Sequence, residues 1–289
     1  MDSILITGIG GPAGRAAAAF FRSKGLRIIG TDIVPVEDGG DVFRLVPRGD
    51  DPLFPDALIT LFRTHRPVGI VPTVTEELVA CATLRPILRN AGCRMFISAK
   101  EPAAIANDKF LSATTLQTRG VPVPRTLLAG EVRDARHAGT LLGYPLIAKP
   151  RFGRGGRGVT VIMNERDAQQ ENRTDIVYQE FMPGREYDAN VFAFPAGIAR
   201  ASVILWKSIL KEGAVGNAVA VERASHPAVS RVAEQAVRAL QLEGPLDMDI
   251  RLGADGNPYI LEINGRVGAN ALTAHETLEA LYSALFGED

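Results

Sequence analysis

Apolar residues in the first hundred positions fall into short runs that alternate with longer amphipathic stretches. Residues 3–7 form a continuous apolar run, read as a buried strand. A glycine-rich turn follows at 8–14, then an alanine-rich helix at 15–23 that Gly25 closes. Residues 26–30 form a second strand that runs on to Asp32. Residues 53–64 are helical, 69–72 a third strand, 76–91 a helix and 93–97 a fourth strand. This alternation predicts a parallel, doubly wound α/β sheet.

The pattern changes near residue 100, where we place the main domain boundary. Residues 107–119 predict a helix ended by Gly120, and Val121-Pro122-Val123-Pro124 an extended connector. A short helix at 133–142 precedes strand pairs, 146–149 with 158–163 and then 176–181 with 186–194, which is antiparallel α+β material. Residues 206–222 are read as a loop. Val229, Val232, Ala233, Ala236, Val237 and Leu240 make one apolar stripe of a helix that starts near Pro227, with Gly244 beyond its end.

Between 246 and 264 the period is two. Leu246, Met248, Ile250 and Leu252 alternate with Asp247, Asp249 and Arg251, and Tyr259, Leu261 and Ile263 alternate with Ile260, Glu262 and Asn264. Asp255-Gly256 between them is a strong hairpin signal. A two-residue turn there sets Asp249 opposite Glu262 and Asp247 opposite Asn264. Like charges facing each other destabilise a sheet. A divalent cation would reverse that penalty, and two carboxylates with an amide oxygen suit Mg²⁺. A solvated polar face with Arg251 as neutraliser accounts for the same pattern.

Two further segments carry candidate chemistry. Lys149-Pro150 ends a strand, and Gly153, Gly155, Gly156 and Gly158 follow among arginines 151, 154 and 157. Such a strand–loop–strand lets backbone N–H groups close on phosphate oxygens, with Lys149 as a point charge; a flexible hairpin tip is the plainer alternative. Residues 178–186 run from a strand through Pro183-Gly184 into another, exposing backbone groups to an adenine edge and Glu186 to ribose hydroxyls.

Composition narrows the class. The chain has 289 residues, 46% hydrophobic and 22% charged, with a formal net charge of −1. That fits a two-domain globular protein and gives no electrostatic reason to expect nucleic acid or an anionic membrane as partner. No apolar run reaches membrane-spanning length. The first residues read as a strand rather than a leader peptide, so the expected location is cytoplasmic. Cys81 and Cys93 read as buried thiols, and the four histidines are scattered.

In order, Asp108-Lys109-Phe110, Lys149-Pro150, the glycine loop, the 179–186 hinge, and Asp249 with Glu262-Ile263-Asn264-Gly265-Arg266 resemble the ATP-grasp superfamily. They are most similar to the ATP-grasp module of the carbamoyl-phosphate synthetase large subunit and to carboxylate–amine ligases. The resemblance covers roughly residues 100–273. It implies an N-terminal Rossmann-like pre-ATP-grasp domain (1–100) and an α+β ATP-grasp domain (101–289). Within the latter, 113–181 would be a mobile lid and 182–289 the metal- and substrate-binding subdomain. The implied activity is ADP-forming carbon–nitrogen ligation: a small-molecule carboxylate is activated as an acyl-phosphate and attacked by an amine or other nucleophile.

Residue by residue, the resemblance implies that Lys109 and Lys149 hold ATP phosphates beneath Gly153, Gly155 and Gly156. Gln179, Glu180 and Met182 would frame the adenine, and Glu186 the ribose. Asp249, Glu262 and Asn264 would bind two Mg²⁺, with Mn²⁺ able to substitute. Arg266, aided by Lys149, would stabilise the transferring phosphoryl group. Two departures are Lys109, where the synthetase has arginine, and Gly265, in place of a frequent proline. Glu76, Lys207 and Lys211 are candidate substrate contacts, with residues 213–217 as a possible cover. A homodimer is the base-rate expectation.

The first glycine cluster supports a rival. Gly8, Gly10 and Ala13 fit the dinucleotide fingerprint, and Asp32 ends the second strand where an acid meets an NAD ribose. An NAD(P)-dependent oxidoreductase is therefore one alternative, and a non-catalytic ATP-binding module another. No tyrosine is followed four residues later by lysine, so the short-chain dehydrogenase pair is missing.

Overall fold

The N-terminal apolar run is covered on both faces, as a strand inside a parallel sheet must be. In this computed structural model, which describes residues 2–153, 155–212 and 215–287, it forms β1 (Ser3–Ile6). Helix α1 (Pro12–Ser23) leads to β2 (Arg27–Asp32) and β3 (Val42–Leu45). Helix α2 (Phe54–His65), β4 (Gly69–Val71) and helix α3 (Leu78–Asn90) complete the layer. The four strands are parallel, in the order β3-β2-β1-β4. Ile4, Ile6 and Ile28 pack with α1, and Leu5, Ile29 and Ile70 with α2 and α3. Strands β2 and β4 flank β1 on opposite sides, so the crevice beyond β1 and β4 is a switch point, where doubly wound sheets bind ligands. The strand expected at 93–97 is only a single bridge, Gly69 to Arg94. The fourth strand is β3 instead, a part-exposed edge whose residues show no alternation to read.

The helix expected at 107–119 is α5 (Lys109–Thr118), and a further helix that the apolar pattern does not predict, α4 (Lys100–Asn107), runs up to it. Asp108 between them is extended, and its carboxylate accepts from the Phe110 and Leu111 N–H groups, both at 3.1 Å. This cap starts a new helix and makes Lys109 its first residue.

A small antiparallel sheet comes next: β5 (Thr126–Leu128), β6 (Leu146–Pro150), β7 (Thr160–Ile162) and β8 (Ile176–Glu180), in the order β5-β8-β6-β7. With α6 (Ala135–Leu142) and α7 (Glu165–Ala168) it encloses its own core around Ala138, Leu146, Ile176 and Tyr178.

The third sheet holds β9 (Glu186–Phe194), β10 (Ile198–Glu212), β11 (Val215–Ala224), β12 (Gly244–Leu252) and β13 (Pro258–Asn264), in the order β11-β10-β9-β12-β13, so the strand at 186–194 pairs with β10 and β12 and not with 176–181 as expected: the chain crosses between sheets at Pro183-Gly184. Much of the segment read as a loop is thus the β10–β11 pair. Helix α8 (Pro227–Leu240) buries its whole stripe against Tyr187, Ala189, Val191, Met248 and Ile250. His226 caps its start, and Gln241 in a left-handed conformation (φ 53°) ends it before Gly244 is reached. The last helix, α9 (His275–Phe286), returns to the first layer. Leu278, Leu281 and Leu285 join Phe21 and Ile4 in one core, and Arg94 donates to the carbonyls of Ala284 and Leu285. No helix among the described residues is long and apolar enough to cross a membrane.

Candidate active site

Strands β9, β12 and β13 turn one face to the core under α8. The register lines up the opposite face into two rows. Asp188, Asp249 and Glu262 stand side by side, and next to them Asn190, Asp247 and Asn264. Three adjacent carboxylates repel one another, and cations offset this. Lys207 on β10 donates to Glu186 Oε1 at 2.7 Å and to Asp249 Oδ1 at 2.5 Å. Arg266 Nη1 donates to Asp247 Oδ2 at 2.5 Å, and Lys109 Nζ lies 3.3 Å from Glu262 Oε1.

The charges follow from that packing. Burial pushes the Asp249 carboxyl up to about 6 against the pull of Lys207. Burial and the adjoining Asp247 carboxylate hold Asp188 well above the usual range. Burial would raise Asp247 too, but the Arg266 guanidinium, a hydrogen bond from Asp188 and the Lys207 charge together outweigh it and hold Asp247 below its ordinary value. Burial alone would lower the Lys207 ammonium; Asp249, Glu186 and Asp188 instead hold it well above.

Asp249 does face Glu262, but not through a two-residue turn. Leu252 pairs with Pro258, and the Gly253 N–H donates to Asn257 O at 2.8 Å. This closes a three-residue turn, 254–256, in which Gly256 takes the left-handed conformation (φ 76°). That turn alone would set Asp249 opposite Leu261. A bulge restores the register: Ile250 pairs with Ile260, and Asp249 with Glu262. The extra residue, Leu261, offers its carbonyl to Lys149 Nζ at 2.9 Å.

Lys149, buried on β6, also donates to Gln179 Oε1 at 2.9 Å. Burial lowers its ammonium to about 8, with Glu262 opposing. Lys109 Nζ donates to Gly153 O at 2.8 Å. Each lysine therefore grips both the small sheet or its glycine loop and the acidic hairpin. The described loop glycines 153, 155, 156 and 158 have φ values of 130°, 69°, 68° and 72°. L side chains rarely adopt such angles, which is why the segment is glycine. Arg154, and residues 213 and 214 of the 213–217 segment, lie outside the described residues.

One cavity of about 720 Å³ runs from the hinge to the switch point of the first sheet. The Gln179, Glu180 and Met182 end is walled by Ile147 and Leu261. Glu186, Asp249, Glu262, Asn264 and Arg266 line the middle, with Lys149, Gly155 and Gly156 beside them. Glu76 and the Gly8–Gly10–Gly11 turn line the far end. Lys109 and Gly153 stand behind this lining. Lys207 does not sit apart at an acceptor site: it is inside the acidic set. Lys211 is exposed and outside the lining. In a regular strand it would share the face of Lys207, but register shifts between Lys207 and Glu212 break the alternation.

Asp188, Asn190 and Asn270 were not anticipated as site residues. The first two were legible, since Glu186, Asp188 and Asn190 alternate with Tyr187, Ala189 and Val191. Among the described residues no group of three or more His, Cys, Asp or Glu is gathered as a ready metal cage. The Asp32 carboxylate is engaged by backbone, accepting from the Gly10 N–H at 2.9 Å and the Ile33 N–H at 2.8 Å. The oxidoreductase alternative needs that carboxylate for a ribose.

The fold recurs in solved structures. The chain superposes over 99% of its length on L-amino acid ligase from Bacillus licheniformis, covering 74% of it, with a TM-score of 0.74 and 17% identity. It superposes over its full length on N5-carboxyaminoimidazole synthetase from Staphylococcus aureus complexed with ADP, covering 78% of that chain (TM-score 0.74, 19% identity). The profile of the ATP-grasp domain matches residues 106–270, more than half of the chain. The chain belongs to the ATP-grasp family. Among curated relatives, it is 24% identical over 228 residues to the carbamoyl phosphate synthase large chain of Pyrococcus furiosus, covering 73% of this chain. It spans only 21% of that protein, and 12% and 18% of two other large chains it matches. None of these matches favours the oxidoreductase alternative.

Proposed function

We propose that this chain is an ATP- and Mg²⁺-dependent, ADP-forming carbon–nitrogen ligase acting on a small-molecule carboxylate and an amine. The observation that carries this reading is the convergence, on one cavity of an ATP-grasp fold, of the acidic rows on β9, β12 and β13 with Lys109 and Lys149. The layer at 1–100 acts as the Rossmann-like domain preceding the ATP-grasp domain, and 113–181 as its lid.

Asp249, Glu262 and Asn264 would hold the metal. Two carboxylates and an amide oxygen are hard donors that leave positions for phosphate oxygens and water, as Mg²⁺ prefers, so no three-acid cage is needed. Bound there, the ions neutralise charge on the transferring γ-phosphoryl group. Gln179, Glu180 and Met182 frame the adenine, and Glu186, once Lys207 yields it, the ribose. Lys109 and Lys149 exchange Glu262 and the Leu261 carbonyl for phosphate oxygens, drawing the glycine loop down and excluding water from a hydrolysable intermediate. A carboxylate oxygen bonds to the γ-phosphorus as the bond to the bridging oxygen breaks, giving ADP and an acyl-phosphate. Arg266 faces the charge that develops. The amine then attacks the acyl carbon, forming the C–N bond and expelling phosphate.

A coupled screen for ADP release, carboxylates crossed with amines, tests this. ADP formation that needs both partners supports it; ADP formation indifferent to every carboxylate contradicts it. In thermal unfolding, Mg·ATP at a hundred times its Kd is expected to stabilise by about 2.7 kcal/mol, a shift of roughly 5–10 °C. NAD(P) is expected to give no shift.

The pH dependence has a definite sign. The Lys149 ammonium is lost as pH rises through about 8 in the free protein, and bound triphosphate favours the charged form. Mg·ATP affinity should therefore be level below pH 7 and weaken above pH 8, by at most about tenfold per unit from this group. Calorimetry across that range checks it, and Lys149→Met should remove the slope.

A further inference from the structure

Arg266 follows β13 on a segment with no regular secondary structure, and something must aim its long side chain. Its Nη1 donates to Asp247 Oδ2 at 2.5 Å and to Val267 O at 3.0 Å. The side chains of Arg266 and Asp247 are 11% and 10% exposed, so the pair sits at the buried floor of the cavity. Asp247 is hydrogen-bonded in turn to the Asp188 carboxyl, which holds the shared proton. That carboxyl accepts from Asn190 Nδ2 at 2.8 Å and from Asn270 Nδ2 at 2.9 Å. Asn270 lies on the same segment as Arg266, so the segment is tied to β12 through Arg266 and to β9 through Asn270. Between the two ties the backbone passes close over the shelf. A Cβ at Gly268 would fall 2.7 Å from Asn190 Oδ1 and 3.1 Å from the Asp247 Cγ.

The geometry points to Asp247 as a positioning residue: seated on the Asp188–Asn190–Asn270 shelf, it aims the Arg266 guanidinium into the cavity. This rests on the role given to Arg266 above. Asp247 stands in the row next to Asp249 and opposite Asn264, but its oxygen is turned to the guanidinium. Holding a flexible cation at its working position before the reaction contributes to the rate without strengthening substrate binding, and a misplacement of about 1 Å costs about a hundredfold.

The test is a double-mutant cycle on kcat, with Mg·ATP binding followed by calorimetry. Asp247→Asn is expected to lower kcat by roughly 30- to 100-fold, with the Kd for Mg·ATP changed less than threefold. In an Arg266→Ala background it should add less than threefold, because the group it acts through is gone. Asn270→Ala, at the part-exposed edge of the shelf, should lower kcat about tenfold and likewise fall silent beside Arg266→Ala. This second variant keeps the cycle readable if Asp247→Asn folds poorly. Penalties that multiply with Arg266→Ala would overturn the proposal while leaving the ligase reading in place. So would a more than tenfold rise in the Mg²⁺ needed for half-saturation, the mark of a metal ligand. If Arg266→Ala itself keeps normal turnover, the role of Arg266 and the proposal fall together.

Discussion

Replacing Glu262 with glutamine is expected to cut carboxylate-dependent ADP release by about 10³-fold, with an unfolding midpoint within roughly 5 °C of the parent protein. The substitution keeps the shape of the side chain and removes its charge, and three consequences follow. The row beside Asp249 loses a carboxylate proposed to hold the metal. Lys109 loses its charged partner 3.3 Å away and keeps only neutral acceptors, the Gly153 carbonyl among them. Lys149, already lowered to about 8 by burial, loses the carboxylate that most opposes the lowering. Its ammonium should then be lost at a lower pH, and the weakening of Mg·ATP affinity should begin nearer neutrality. Stability changes little because two effects oppose each other: the ion pair with Lys109 goes, and so does repulsion from Asp249. Steady-state kinetics, calorimetry and thermal unfolding of one variant check all of this. Near-normal turnover at saturating ATP and Mg²⁺ would mean that the wrong hairpin has been assigned.

Arg266→Ala is expected to lower kcat by about 10²- to 10³-fold, as for loss of one preorganised donor to developing charge. The Kd for Mg·ATP should move far less, since the role proposed for the guanidinium is toward charge that develops during transfer and not toward bound ATP. This variant is also less stable. It leaves Asp247 buried without its cation, which costs about 3 kcal/mol. A loss of Mg·ATP binding as large as the loss of kcat would place Arg266 on the nucleotide instead.

Much of this site could be read from local pattern. Alternation put Asp249, Glu262 and Asn264 on one face, and glycines at 153, 155, 156 and 158 marked a backbone that only glycine adopts readily. What could not be read was set by long-range register. The correct pairing of Asp249 with Glu262 depends on two departures that cancel, a three-residue turn and a bulge at Leu261, and neither leaves a trace in the period of apolar residues. Lys207 and Lys211 are equivalent by spacing, and only the irregular pairing of β10 with β11 separates them. Asp188 and Asn190 were visible as the polar half of an alternating strand, but their importance comes from lying beside β12. No local signal says that strand 186–194 adjoins strand 244–252. The start of α5 at Asp108 is the converse. An aspartate before a helical run is a legible cap, and reading it sets Lys109 at a helix start, although that reading does not bring it to Glu262. The return of α9 to the first sheet is likewise a matter of tertiary packing, with Leu281 and Leu285 equally suited to any apolar surface.

The central claim is that the acidic face of β9, β12 and β13 and the lysine–glycine clamp hold one nucleoside triphosphate between them. A crystal structure with a non-hydrolysable ATP analogue and Mn²⁺, with the metal located by anomalous scattering, tests it directly. Anomalous density is expected between Asp249, Glu262 and Asn264, phosphates in reach of Lys109 and Lys149 beneath Gly155 and Gly156, and adenine at Glu180–Met182. A nucleotide bound instead at the turn containing Gly8, Gly10 and Gly11, or a metal away from Glu262, would contradict it.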